Sequence, residues 1–339
     1  MQLKERTLNR LFILILVNLI LLSSGCYHIA KTPQINPQIN QPNNDGNPGQ
    51  QITRSIPTET HPLKGKILSI ATGEQISQTE LLEKLRQSRF ILIGEKHDNP
   101  EHHLRELQLL QALQNGPRTR LVLEMLDEQQ SGNIDTLSGE SRDTRIREQL
   151  NWNDRNWPWQ DYGPLIIAAL KDGNQLRTGN LSKPVLMQIY QSGVPHQPPL
   201  STVSEIPESI RSTIQQQVYE SHCRTMPIDK MGPMTDIQIS RDASMAYALS
   251  HQLGEQMQAI LITGAYHARK DTGVAQHLQK LTSDAVVSIL LAETDDAIET
   301  IQEAVKHNAD VADYVWFTSR SEEQDYCAAL QQQSHKKDG

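Results

Sequence analysis

The chain has 339 residues, 32 Lys and Arg against 40 Asp and Glu, and a formal charge of −8. Its length suits one large domain or two modest ones. No basic stripe runs through it, which argues against a nucleic-acid partner.

The first signals concern address. Lys4, Arg6 and Arg10 precede an apolar run from Leu11 to Leu22. That run is short for a membrane span and reads as a signal peptide over residues 1–25. Ser23-Ser24-Gly25-Cys26 resembles a bacterial lipobox. This implies lipidation of Cys26 and a membrane tether of acyl chains. A plain signal peptide or an uncleaved anchor is the alternative. Tyr27 follows the Cys where Asp would imply inner-membrane retention. By resemblance to lipoprotein sorting in Gram-negative bacteria, the address is the periplasmic face of the outer membrane. Residues 26–62 are rich in Asn, Gln, Pro and Gly and read as a tether that cannot bury enough apolar surface to fold. Beyond Cys26 only Cys223 and Cys327 remain. In an oxidising compartment they either pair or stand as two free thiols.

The folded body begins near Gly65–Ser69. Thr79 and Glu80 open a helix through Leu81, Leu82 and Leu85. Phe90–Ile93 is a β-branched apolar run, expected as a buried strand. It ends in Gly94-Glu95-Lys96-His97-Asp98. Asn99 can then cap a helix with Pro100 at its first position and an apolar side of Leu104, Leu107, Leu110 and Leu113. Arg120–Met125 is a second buried strand carrying Glu124. Strand, helix, strand over this span predicts a parallel βαβ unit. From Asp127 to Tyr219 the chain reads as mainly helical, with a Trp152, Trp157, Trp159 cluster and a firm helix over 161–170. Leu176–Gly179 can return to the sheet as a strand. Ser182 caps a further helix, and another covers Ile210–Val218. Ser240 is expected to cap a helix with Asp242 in its first turn. Ala259–Thr263 is a third buried strand, ending in Gly264-Ala265-Tyr266-His267, with Gly273-Val274 opening a helix. Ala285–Leu291 is a strand, 297–305 a helix, and Tyr314–Phe317 the last strand; the tail from Gln331 is polar. The fold class expected is α/β: a mostly parallel sheet flanked by helices, over 63–126 and 235–325, with a smaller, mainly helical insert over 127–234.

Two strands thus finish in Gly-x-x-His, at the sheet edge where open α/β sheets bind ligands. With Glu95, Glu124 and Asp242, the two histidines His97 and His267 form a set that can ligate a divalent metal or supply an acid and a base. The plainer alternative is that Glu95 and Asp98 cap the next helix and Glu124 lies on the surface. His102 and His103 fall in a first helical turn, which disfavours imidazolium, so a neutral imidazole facing the site is expected here, with one of the two facing solvent. Tyr219, His222 and Cys223 precede Met226, Met231 and Met234. Such a segment can ligate haem iron, or serve as an adaptable apolar surface. The Trp group reads as core or interface. There is no Gly-x-Ser-x-Gly elbow, phosphate loop or His-Glu-x-x-His helix.

Gly94-Glu95-Lys96-His97-Asp98-Asn99-Pro100-Glu101-His102-His103, Leu123-Glu124-Met125, Tyr162-Gly163-Pro164-Leu165, His222-Cys223, Arg241–Ala246 and Gly264-Ala265-Tyr266-His267-Ala268-Arg269 together resemble the ChaN-type haem-binding lipoproteins, within the wider Tiki/TraB-like superfamily. The resemblance runs from about Phe90 to Leu278. It implies binding of haem or an iron compound in uptake at the bacterial outer membrane. It also implies a ligand-linked homodimer and an outer-membrane uptake receptor as partner. Tyr219, His222, Tyr266, Arg269 and Met245 are the candidates for holding haem. Relatives resembling metal-dependent proteases keep a second expectation open. In that reading Glu95, His97, Glu124 and His267 are catalytic, and His97, Glu124, Asp242 and His267 bind the metal.

Overall fold

Alternation along the central strands sends their side chains into two separate cores. Ile91 and Ile93 enter one, while Phe90 and Leu92 enter the other; Ile260 and Ile262 oppose Ala259 and Leu261 in the same way. Each fully buried side chain of this size contributes about 1.5–3 kcal/mol relative to exposure. Burial on both faces is what a parallel sheet requires, and it explains the unbroken apolar runs in the sequence.

The computed structural model describes residues 60–114, 116–137, 143–322, 325 and 327–328. The expected signal peptide, Cys26, nearly all of the tether and the tail from Gln331 lie outside the described residues. The strands are β1 (Ile67–Ser69), β2 (Glu74–Ile76), β3 (Phe90–Glu95), β4 (Thr119–Asp127), β5 (Gln175–Asn180), β6 (Gln258–Gly264), β7 (Val286–Glu293) and β8 (Tyr314–Thr318). They form one sheet in the order β2-β1-β8-β7-β3-β6-β4-β5. Every neighbouring pair from β8 to β5 is parallel. The short β1 is antiparallel to both β2 and β8. The α/β architecture expected from the sequence is present. Because β6 sits between β3 and β4, the chain crosses outward in opposite directions from the sheet centre. That is the topological switch point of an open sheet, with its crevice at the carboxyl ends.

The helices are α1 (Gln78–Arg86), α2 (Pro100–Leu113), α3 (Ser131–Ile134), α4 (Asp143–Gln149), α5 (Trp159–Lys171), α6 (Lys183–Ser192), α7 (Glu208–Ser221), α8 (Gly232–Ser250), α9 (Ala265–Ala268), α10 (Val274–Leu281) and α11 (Ile301–His307). Helices α1, α2 and α5 cover one sheet face. The second half of α8, with α10 and α11, covers the other. From Leu181 onward α6, α7 and the first half of α8 gather around a third apolar cluster. Segment 127–234 therefore contributes both to the main core, through α5 and β5, and to this separate cluster. Among the described residues no helix is long and apolar enough to cross a membrane.

Asn99 caps α2 as expected, its Oδ1 accepting from the backbone N–H of Glu101 and His102. The buried stripe of α2 differs from the expected one. Leu104 is 47% exposed, while His103, Glu106, Leu110 and Leu113 lie on the inward side. Reading only apolar residues rotates the helix by one position, because polar residues, His103 and Glu106 among them, are buried along it. His102 and His103 are both buried, so neither faces solvent. Helix α8 begins at Gly232, eight residues before the expected cap at Ser240. Ser240 and Asp242 resemble an N-terminal turn but are buried in mid-helix, where Asp242 has a partner across the crevice. Helix α11 begins at Ile301, under a Thr300–Glu303 capping box, rather than at 297. Cys223 and Cys327 form a disulfide, with Cα atoms 5.6 Å apart.

Candidate functional site

The site grows from three strand ends. β3 delivers Glu95, β6 stops at Gly264, and β4 leaves β6 after the Leu123–Ile262 pairing. Beyond Leu123 the register of β4 with β5 shifts, and such irregularities re-aim side chains. Glu124 sits at this shift. Its Oε2 accepts the Thr263 hydroxyl at 2.7 Å and the Gly264 backbone N–H at 2.8 Å. The carboxylate thus takes a donor that the sheet ladder no longer uses.

On either side of Glu124 stands an imidazole held by another carboxylate. His97 Nδ1 lies 2.8 Å from Glu95 Oε1, and His267 Nδ1 lies 2.6 Å from Asp242 Oδ1. Each Nδ1–H donates outward, which turns each Nε2 toward Glu124. Nε2 of His97 is 3.8 Å from Glu124 Oε2, and that of His267 is 3.7 Å from Oε1. Two oriented imidazoles flanking one carboxylate can relay protons or polarise a bound group. The His97 side chain is 14% exposed and that of His267 2%, so the opening is at His97.

Charges follow from burial and pairing. Burial opposes ionisation of Glu124, but His267, His97 and the Thr263 and Gly264 donors hold its carboxyl down at about 2. Burial lowers His97, yet Glu95 and Glu124 outweigh it and raise the ring above its ordinary range. His267 is likewise raised, by Asp242 and Glu124 against burial. Burial pushes Asp242 up to about 6 despite its neighbour His267, whose Nδ1 lies 2.6 Å away.

Further partners stand behind these two imidazoles, and of them only His103 is expected from the sequence to face the site. Tyr162, fully buried on α5, donates its hydroxyl to Glu95 Oε1 at 2.8 Å. His103 Nδ1 lies 3.1 Å from Glu95 Oε2 and 3.4 Å from Glu106 Oε2. The Gln238 amide reaches within 3.1 Å of His267 Nε2. Arg241 is buried within electrostatic range of Glu124 and Asp242. Trp157 sets its ring edge-on to His97 at 4.9 Å, while Trp152 and Trp159 belong to the core. Glu106, three residues after His103, and Gln238 and Arg241, four and one residues before Asp242, carry a spacing signal; Tyr162 and Trp157 lie far away in the chain. His102 does not join the site. It accepts the Lys96 backbone N–H on Nδ1 and bonds Thr318 through Nε2, and burial takes it down to about 4. Asp98 pairs with Lys96 rather than capping a helix.

The residues singled out for haem lie in several parts of the fold. Met245 is fully buried in the second core, its sulfur 3.5 Å from the Thr263 hydroxyl. Arg269 grips Asp271. Tyr266 is half-buried in α9, and Tyr219 is half-buried at the margin of the third cluster. His222 caps the end of α7. Its Nδ1 bonds the Val218 carbonyl at 2.7 Å, and its Nε2 is buried without a hydrogen-bond partner.

No curated protein matches the chain. Among solved structures, ChaN of Campylobacter jejuni, described for its cofacial heme binding, aligns with a TM-score of 0.62 and 23% identity, over 74% of this chain and 95% of that one. A mutant of the erythromycin esterase EreC in its open conformation aligns at 0.47 and 10% identity, over 77% and 98%. The model of the family described as haem-binding uptake, Tiki superfamily, ChaN matches residues 81–278, which include both Gly-x-x-His motifs, Glu124 and His222. By that match the chain belongs to the ChaN family of haem-binding uptake proteins.

Proposed function

We propose that this protein binds haem, or a related iron compound, as a lipid-anchored protein of the outer membrane in haem uptake. Family membership supports the reading, and His222 carries it to this chain's own residues. Since Nδ1–H is committed to a backbone carbonyl, the lone pair of the neutral ring sits on Nε2. Burial and the charge of Arg241 lower its affinity for a proton and outweigh the Val218 carbonyl, which raises it. A neutral imidazole anchored through its other nitrogen is the usual form of a metal ligand. Tyr219, three residues earlier on α7, shares that side of the helix and can offer a phenolate. The adjoining apolar cluster, with Val218 and Met226, suits one face of a porphyrin. The residue fit is therefore at the α7 corner and not at the closed network around Glu124. Haem here is cargo, and the chain's part is to hold it.

Purified full-length protein titrated with hemin should show a saturable Soret change. His222→Ala or Tyr219→Phe should shift that spectrum. Binding no tighter than to an unrelated acidic protein would overturn the reading. The address is tested separately: Cys26→Ser should release the protein from membranes. An unchanged membrane fraction, with unchanged mass at the mature N-terminus, would remove the lipid anchor. A ligand-linked homodimer and an uptake receptor belong to the same proposal, and sedimentation with and without hemin tests the first.

One observation favours a second reading. The pair of carboxylate-oriented imidazoles around Glu124 is a hydrolase-like arrangement of acid and base groups. Peptide cleavage that Glu124→Gln abolishes would support it; no cleavage across a peptide library would dismiss it.

A further inference from the structure

We propose that Glu95, His103 and Glu106 hold a divalent transition-metal ion beneath His97. The proposal does not rest on haem binding, and its residues differ from the His97, Glu124, Asp242 and His267 set. The three side chains come from the end of β3 and the first two turns of α2, where His103 and Glu106 are three apart and therefore neighbours. One ligand atom from each lies within 4.8 Å of the others, and all three residues are buried. The separations from His103 Nδ1 are 3.1 Å to Glu95 Oε2 and 3.4 Å to Glu106 Oε2. Ligand atoms about 2.0–2.2 Å from a zinc-sized ion stand about 3.0–3.5 Å apart along the edges of its coordination shell.

The ring is prepared for the task. His103 Nε2 lies 3.2 Å from the His97 carbonyl oxygen, which can only accept, so this nitrogen carries a proton. The lone pair of the neutral ring is then on Nδ1, facing both carboxylates, and a backbone carbonyl on the distal nitrogen is the common support for a metal-ligating histidine. Glu95 Oε2 is buried with the His103 ring 3.1 Å away, and Glu106 Oε1 is buried without a hydrogen-bond partner. Two carboxyl groups buried side by side do not both ionise readily, and a divalent cation would let both do so. One imidazole with two carboxylates suits zinc, manganese or ferrous iron rather than a thiolate-seeking ion. The other oxygen of Glu95 receives Tyr162 and His97. An ion on Oε2 would fix the Glu95 carboxylate and, through it, the orientation of the His97 ring. His103 and Glu106 are then positioning residues for His97.

The test uses tag-free, full-length protein stripped with chelator and titrated with cobalt(II) alone. One equivalent should bind and give ligand-field absorption. His103→Asn and Glu106→Gln, checked for folding by circular dichroism, should weaken binding at least about a hundredfold, beyond the 10–100-fold typical of outer-shell partners. X-ray absorption fine structure of the zinc-loaded wild type needs no variant and should show one imidazole with oxygen ligands. Absence of stoichiometric binding, or a shell with two imidazoles, would overturn the proposal. So would a loss confined to His267→Gln, which would move the ion to the Glu124 pair.

Discussion

The two Gly-x-x-His strand ends share a spelling and little else. At the first, β3 runs on through Glu95, and His97 follows in a turn. Its orienting carboxylate comes from its own motif, two residues back. At the second, β6 stops at Gly264 and the chain enters α9, so His267 stands in a helical turn. Its carboxylate is Asp242, borrowed from the middle of α8. The register adds to the contrast: Glu95, not Gly94, pairs with Gly264. One histidine is thus supported locally and lies at the opening, while the other depends on a distant helix and is sealed. A short motif fixes which side chain reaches a site; the rest of the fold decides what stands behind it.

The largest effect should come from cutting the borrowed support. Asp242→Asn leaves a buried imidazolium without its carboxylate and should cost about 3–5 kcal/mol in urea unfolding. The sign with pH is fixed. His267 is raised above its ordinary 6.5, so its contribution is fully present below that value and fades as pH rises through the folded value. Asp242, raised from 3.8 to about 6, acts in the same direction, favouring the fold less as pH climbs through that interval. Glu124 works oppositely: its contribution is present above 4.5 and is lost as pH falls toward about 2. The gap between wild type and variant should therefore narrow on the alkaline side. A gap independent of pH would mean that ionisation of the His267–Asp242 pair does not contribute to stability.

Next comes the glycine of the first motif. A Cβ on Gly94 would stand 2.7 Å from Ala268 Cβ, 2.7 Å from Leu290 Cδ2 and 3.0 Å from Ala265 Cα. Two of these three contacts belong to α9, the helix that carries His267. Gly94→Ala should cost about 3 kcal/mol by overpacking. It should also shift the His267 ring resonances more than those of His97; the reverse ranking would show that the two ends are not seated on one another. Tyr162→Phe is the smaller, local probe. It removes a hydrogen bond to the Glu95 carboxylate, which should cost about 1.5–3 kcal/mol. His97 should titrate differently in the variant and His267 should not, as proton-detected titration of the ring nitrogens can show.

Much of this arrangement was legible in the sequence because it is local. The buried strands announce themselves as β-branched runs, Asn99-Pro100 marks the start of α2, and both histidines follow their strands at fixed spacing. Asp242 stands out by its residue type, but the sequence places the start of its helix too late, since a buried Ser-x-Asp in mid-helix imitates a cap. Tyr162 was hidden by distance: 65 residues separate it from His97, and nothing in its helix says which face meets β3. Glu106 is obscured for a different reason. An apolar stripe was sought along α2, and the true stripe is partly polar because it lines a site.

The Cys223–Cys327 disulfide divides the site in a way that neither charge nor packing describes. It closes a covalent ring 104 residues in sequence separation. Asp242, β6 and His267 lie within that ring, whereas β3, Glu124 and Tyr162 lie outside it. Tension applied to the two ends of the chain would pass from residue 223 to residue 327 across the sulfurs and bypass everything between them. The first strand end would bear the load and the second would not, so the two halves of one network differ in mechanical exposure as well as in their supports.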